Sequence, residues 1–115
     1  MSGTKRFSNH LEAIKVTQEI YDTYDFVPSF AVATATTDYD LKTQQATAFA
    51  NVTKAATILL WTDQDISIKF NDTGKPAITL SAGDSPFEFK DVLKITNVFI
   101  TNNSGNTANI KVLLI

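Results

Sequence analysis

From Ile58 to the C-terminus, apolar and polar positions alternate in short runs, and each run ends in turn residues. Ile66, Ile68 and Phe70 share one parity, while Ser67, Lys69 and Asn71 take the other. Successive side chains of a pleated strand point to opposite faces, so this pattern predicts a half-buried strand. Asn71-Asp72-Thr73-Gly74 then predicts a tight turn, because Asn, Asp and Gly tolerate left-handed backbone. Ile78 and Leu80 resume the inward face, and Ala82-Gly83-Asp84 marks the next turn. Phe87 and Phe89 alternate with Glu88 and Lys90. A strand over Leu93 to Thr101 follows, then the loop from Asn102 to Asn106. The last strand carries Ala108, Ile110, Val112 and Leu114 on one face. Short strands at this spacing, punctuated by turns, predict a sandwich or barrel.

The first half of the chain is less regular. Asn9 followed by Glu12 fits a capping box, and Ala13, Val16, Ile20 and Tyr24 fall on one face at helical spacing. A helix over residues 9–24 is the favoured reading and a strand the competing one, since Ile14, Val16 and Ile20 also alternate. Pro28 ends this element, because it biases its predecessor towards extended geometry. Phe30, Val32 and Thr34 alternate with alanines, as do Ala46, Ala48 and Ala50 with Thr47, Phe49 and Asn51. Both stretches read as strands with one small-residue face. Thr37 to Asp40 reads as a turn or the start of a strand. The run Ile58-Leu59-Leu60-Trp61 is what a strand covered on both faces shows. The expected organisation is an N-terminal arm over residues 1–29 and a β-sandwich over residues 30–115.

Composition narrows the function classes. The chain has 115 residues, enough for one domain with a core that needs no staples. Hydrophobic residues make up 43 %, which argues against wholesale disorder. The net charge is -2 with both signs interspersed, so no polyanion-binding patch and no nucleic-acid partner is expected. There is no cysteine, which removes disulfides and thiolate metal sites. No apolar run approaches the roughly 20 residues of a membrane-spanning helix, and the first residues lack the apolar stretch of a signal peptide. No membrane partner is expected, and synthesis in the cytoplasm is the default.

Candidate chemistry is sparse. His10 is the single histidine and lies in a polar segment, so it reads as a surface residue. Asp63 and Asp65 precede a strand, and hairpin connections would bring Asp84 and the Asn102–Asn106 loop to the same end. Such a gathering suits calcium, but turn residues of this kind are ordinary. Trp61 suits sugar stacking, but more often belongs to a core or an interface. With no nucleophile–base pair and no Gly-rich phosphate loop, neither an enzyme nor a cofactor is expected.

One anomaly stands out. In Leu93 to Thr101, Leu93, Ile95 and Phe99 share one parity, yet Val98 and Ile100 on the other are also apolar. In the last strand Leu113 and Ile115 oppose the Val112 and Leu114 face. A sandwich strand with one wet face is polar there. A β-bulge near Asn97, cover by the N-terminal segment, and a subunit interface each account for it. The favoured expectation is an interface made by Val98, Ile100, Leu113 and Ile115.

The runs D-I-S-I-K-F-N (65–71), I-T-L-S-A-G-D-S (78–85), F-E-F (87–89) and L-K-I-T-N-V-F-I-T-N-N-S-G-N-T-A-N-I-K-V-L-L-I (93–115) resemble small β-sandwich virion proteins of tailed bacteriophages. The resemblance covers roughly half the chain, from about Trp61 onward, and consists of strand-and-turn patterns. It implies a capsid decoration protein or a neck or tail component with no chemistry of its own, located in the virion. Its partners would be further copies of itself or neighbouring virion proteins. Pattern and resemblance together predict an all-β, jelly-roll-like antiparallel sandwich of seven or eight strands behind an N-terminal arm. The runner-up function is a carbohydrate- or receptor-binding module that uses Trp61 and loop residues.

Overall fold

A computed structural model describes residues 23–90 and 94–115. The helix read over residues 9–24, His10 and Leu93 therefore lie outside the described residues, apart from Thr23 and Tyr24. The strands are β1 (Asp25–Val32), β2 (Thr36–Asp40), β3 (Ile58–Thr62) and β4 (Ile66–Phe70), then β5 (Ile78–Leu80), β6 (Phe87–Phe89), β7 (Val98–Asn102) and β8 (Ala108–Leu114). They form two antiparallel four-stranded sheets, ordered β1-β8-β3-β6 and β2-β7-β4-β5. The pairings β1·β8, β2·β7, β3·β6 and β4·β5 are those of one long hairpin. Rolled up, that hairpin closes through β3·β8 and β4·β7. This is jelly-roll topology, in keeping with the fold expected from pattern and resemblance together.

The core lies between the sheets. Val27, Phe30 and Val32 of β1, Ile58 and Leu60 of β3 and the even positions of β8 from Ala108 to Leu114 face it from one side. Ile66, Ile68, Leu80, Val98 and Ile100 face it from the other. Phe70, Phe87 and Phe89 are half-buried against it, with the Phe70 and Phe89 rings edge to face at 5.3 Å. Ile78 shares the inward register with Ile68, but β5 is an edge strand and leaves it exposed.

Three readings of the sequence are corrected by these elements. First, β1 starts at Asp25, so residues 25–29 are strand and not arm. Pro28 does not end the element, because the pairing with β8 shifts between Val27 and Phe30 and the proline sits in that irregularity. Second, residues 46–51 are not a strand. Asp40 caps a helical turn, α1 (Leu41–Gln44), by accepting the Thr43 N–H, and the chain continues through turns to Ile58. Phe49, Val52 and Ala55 from that loop are buried and plug one end of the sandwich. The turn expected at Ala82–Asp84 is present as a single 3-10 turn. Third, the strand expected from Leu93 begins only at Val98. Asn71, at φ 68°, accepts the Thr96 and Asn97 N–H groups on its side-chain oxygen and donates its amide to the Lys94 carbonyl. This clasp breaks the pleat before β7, so Ile95 and Val98, of opposite parity, are both buried.

Candidate association surface

The parity break decides the fate of the four residues expected at an interface. Val98 and Ile100 are fully buried within one copy of the chain and pack in the core between the sheets. They cannot form part of an outer surface while the sandwich is intact. The assumption of unbroken alternation from Leu93 put them on the wrong side. Leu113 and Ile115 do lie on the outer side, because the core face of β8 belongs to Ala108, Ile110, Val112 and Leu114. The four therefore occupy opposite sides of a sheet and make no single patch.

The outer face of the β1-β8-β3-β6 sheet nonetheless carries an apolar surface. Register places Phe26 of β1 beside Leu113, and Leu113 beside Leu59 of β3. Trp61 pairs with Lys111 in the next outward row, and the Lys111 ammonium sits 5.1 Å from the indole centroid. Ile115 extends the surface, held to Thr57 by reciprocal backbone bonds of 2.9 and 3.1 Å. Phe26 is 44 % exposed, while Leu59, Trp61 and Ile115 are half-buried. Sequence reading missed Phe26 by assigning it to the arm and Leu59 by assigning its strand two covered faces. The alternation of Phe26 with Asp25 and Val27 was the available signal.

The opposite outer face is mostly polar, with the half-buried Phe99 on it between Asp40 and Lys69. Thr101, Ser67 and Thr79 stand side by side across β7, β4 and β5. With Asp65, Ile66, Asn103 and Ser104 they line an open depression of about 290 Å³. Lys69 and Asp38 form an ion pair at 3.2 Å on the same sheet. Among the described residues no aromatic ring lines the depression, and Trp61 belongs to the other sheet.

The expected gathering of Asp63, Asp65, Asp84 and the Asn102–Asn106 loop follows from the topology, which returns these turns to one end. There the carboxylates hold the loops together. Asp63 accepts the Asn109 backbone N–H at 2.7 Å and its side-chain amide at 2.9 Å, and Asp65 accepts the Ala82 N–H at 2.8 Å. The Asn109 bonds hold the Asp63 carboxyl below its ordinary range. Among the described residues no three His, Cys, Asp or Glu side chains cluster to hold a metal ion.

The other end is fastened by Asp25, which is 3 % exposed. Its carboxylate accepts the Val52 N–H at 2.7 Å, the Asn51 N–H at 2.8 Å and the Asn51 side-chain amide at 3.0 Å. Asp40 accepts the Thr43 N–H and the Asn97 amide there. Desolvation raises the Asp40 pKa, but the bonds from Asn97, Thr43 and Lys42 outweigh it and leave the group below its ordinary value. Asn102, fully buried, donates to the Val32 and Asn106 carbonyls and accepts the Ser104 N–H, so it ties β7 to the opposite sheet.

No protein-family model matches the chain, and no curated protein matches it either.

Proposed function

We propose that this chain is a structural component of a tailed-bacteriophage particle, a capsid decoration or neck or tail module that works by protein–protein association. The single observation that carries the reading is the apolar outer face of the β1-β8-β3-β6 sheet, with Phe26 44 % exposed beside Leu113 and Leu59. Burying a large apolar side chain from full exposure is worth roughly 1.5–3 kcal/mol, so a partner that covers the exposed part of Phe26 and of half-buried Leu59 gains a fraction of that from each, whereas Leu113, 4 % exposed, adds little. The opposite face is mostly polar, which suits a module seated on a larger body by one side. The resemblance of residues 61–115 to small virion β-sandwiches supplies the kind of body. Its partners are neighbouring virion proteins or further copies of the chain, and the role needs no catalysis. The carbohydrate-binding alternative, which uses Trp61 and loop residues, draws less support, because the polar depression lies on the sheet opposite Trp61. Density-gradient fractionation of a lysate that makes the chain at its native level tests the proposal. The chain co-sediments with particles if the reading holds. Recovery solely among free small proteins would overturn it.

A further inference from the structure

The two sheets end in four edge strands, β1 and β6 on one and β2 and β5 on the other. Three of these edges are blunted. β1 carries Pro28 within the break of its pairing between Val27 and Phe30. β2 breaks its register between Thr36 and Tyr39, with Asp38 left-handed at φ 53° and ion-paired to Lys69. β6 follows Pro86 and carries a charge, Glu88, at its centre. Prolines, register breaks and charges are the devices that keep an edge from pairing with another chain. β5 has none of them within its length. Ile78, Thr79 and Leu80 pair with β4 in unbroken register. Every residue from Asn71 to Thr79 is exposed, and Ile78 is 39 % exposed although it shares the inward register of Ile68.

The register fixes where the free backbone groups point. Antiparallel strands alternate between pairs that exchange both backbone bonds and pairs that exchange none. Asn71 donates its N–H to the carbonyl of Asn97, the residue opposite it when the β4·β7 register is continued by one step. Ser67 and Lys69 therefore bond β7, and Ile66 and Ile68 bond β5 through Leu80 and Ile78. The N–H and C=O of Thr79 are left pointing away from β4, to the open side. Ser81, still extended at φ -90° and ψ 132°, turns its N–H the same way.

We propose that this edge pairs with the same edge of a second copy, antiparallel, across a two-fold axis through Thr79. Each Thr79 N–H then meets the Thr79 carbonyl of the other copy, and Ser81 falls opposite Ala77. Ile78 comes to lie opposite Leu80 of the other copy, which covers the apolar side chain that β5 leaves in water. Thr79 meets Thr79 on the outer face, a favourable cross-strand pair. Exposed Lys75 lies before the edge and exposed Asp84 after it. Antiparallel pairing brings these unlike charges together, so the edge is complementary to itself and a second copy is the occupant that fits. The edge is short, so the pair is weak, with a Kd on the order of 0.1–1 mM. It lies on the sheet opposite Phe26, so pairing here and attachment there are independent, and either can fail alone.

Hydrogen exchange of the full chain, with sedimentation equilibrium alongside, tests the pairing. Between about 20 µM and about 1 mM the Thr79 amide should slow about two- to five-fold while the average mass rises towards that of two copies. Thr79→Pro removes the outward donor and no bond to β4, so it should keep the fold and stay at the mass of one copy. Ile78→Lys puts a charge on the edge and should do the same by a second route. Unchanged exchange at Thr79 in the concentrated unaltered chain would overturn the proposal. A rise in mass that both variants retain would also overturn it, by assigning the pairing to another surface. So would slowing at Thr79 that appears in a cell lysate but not in the concentrated pure chain, because the edge would then belong to a different protein.

Discussion

Asp25→Ala is the sharpest test of how the sandwich end is held. The Asp25 carboxylate is buried and accepts three N–H donors between 2.7 and 3.0 Å. Truncation leaves the buried Val52 N–H without its partner, at about 1–3 kcal/mol. The Asn51 N–H is partly buried and regains some water, so it contributes about 1 kcal/mol more. Relief of the carboxylate's own desolvation offsets part of this. The expected loss is about 2–4 kcal/mol, a large share of the roughly 5–15 kcal/mol that holds a domain together. With an m value of about 1.5 kcal/mol/M, the urea midpoint should fall by about 2 M. Asn51→Ala removes only the exposed side-chain donor and should cost under about 1 kcal/mol. Urea unfolding of the three proteins, with hydrogen exchange at the Val52 amide, makes the comparison. A loss below about 1 kcal/mol for Asp25→Ala, or unchanged protection at Val52, would refute the reasoning.

Other outcomes follow from the same geometry. Ile100→Ala should cost about 2–5 kcal/mol in denaturant unfolding without changing the mass in solution; dissociation at unchanged stability would return Ile100 to an interface. Asn102→Ala removes the fully buried amide that bonds the Val32 and Asn106 carbonyls and should lose about 1–3 kcal/mol, which thermal unfolding checks; a neutral result would remove the tie between the sheets. Asp40 and Asp63 are held below their ordinary values, so the folded state binds their protons less tightly than the unfolded state does. Their stabilisation is present above the unfolded-state pKa of about 4 and is lost as pH falls through the lowered folded-state values. Asp40→Asn should therefore flatten stability against pH on the acid side, and an unchanged acid slope would contradict the assignment.

Alternation made β4, β6 and β8 legible, because each has one core face and one wetter face and holds its register. It also located the turn at Asn71, where the left-handed backbone fits the residue. It failed at β7 because parity assumes an unbroken pleat. The Asn71 clasp on Thr96 and Asn97 depends on a contact between residues some 25 apart in sequence. It failed over residues 46–51 because Ala and Thr differ too little in hydrophobicity to signal a face. The Asp40 cap, three residues before Thr43, was the better guide there. The strand pairings that make the jelly roll are long-range, and no local pattern encodes them. Of the four residues expected at an interface, Leu113 and Ile115 lie on the outer side of their sheet, while Val98 and Ile100 lie in the core. Phe26 and Leu59 joined that face only once β1 and β3 were seen to flank β8.

The central claim is that this face attaches the chain to a larger assembly. Phe26→Ser removes its most exposed large side chain, and Thr79→Asp alters the polar outer face of the other sheet as a control. The decisive measurement is the number of copies retained per purified particle for the unaltered chain and both variants, each first shown to be folded by its melting curve. Phe26→Ser should be retained at a small fraction of the unaltered level, and Thr79→Asp at the full level. Equal retention of all three would contradict the account, as would selective loss of Thr79→Asp.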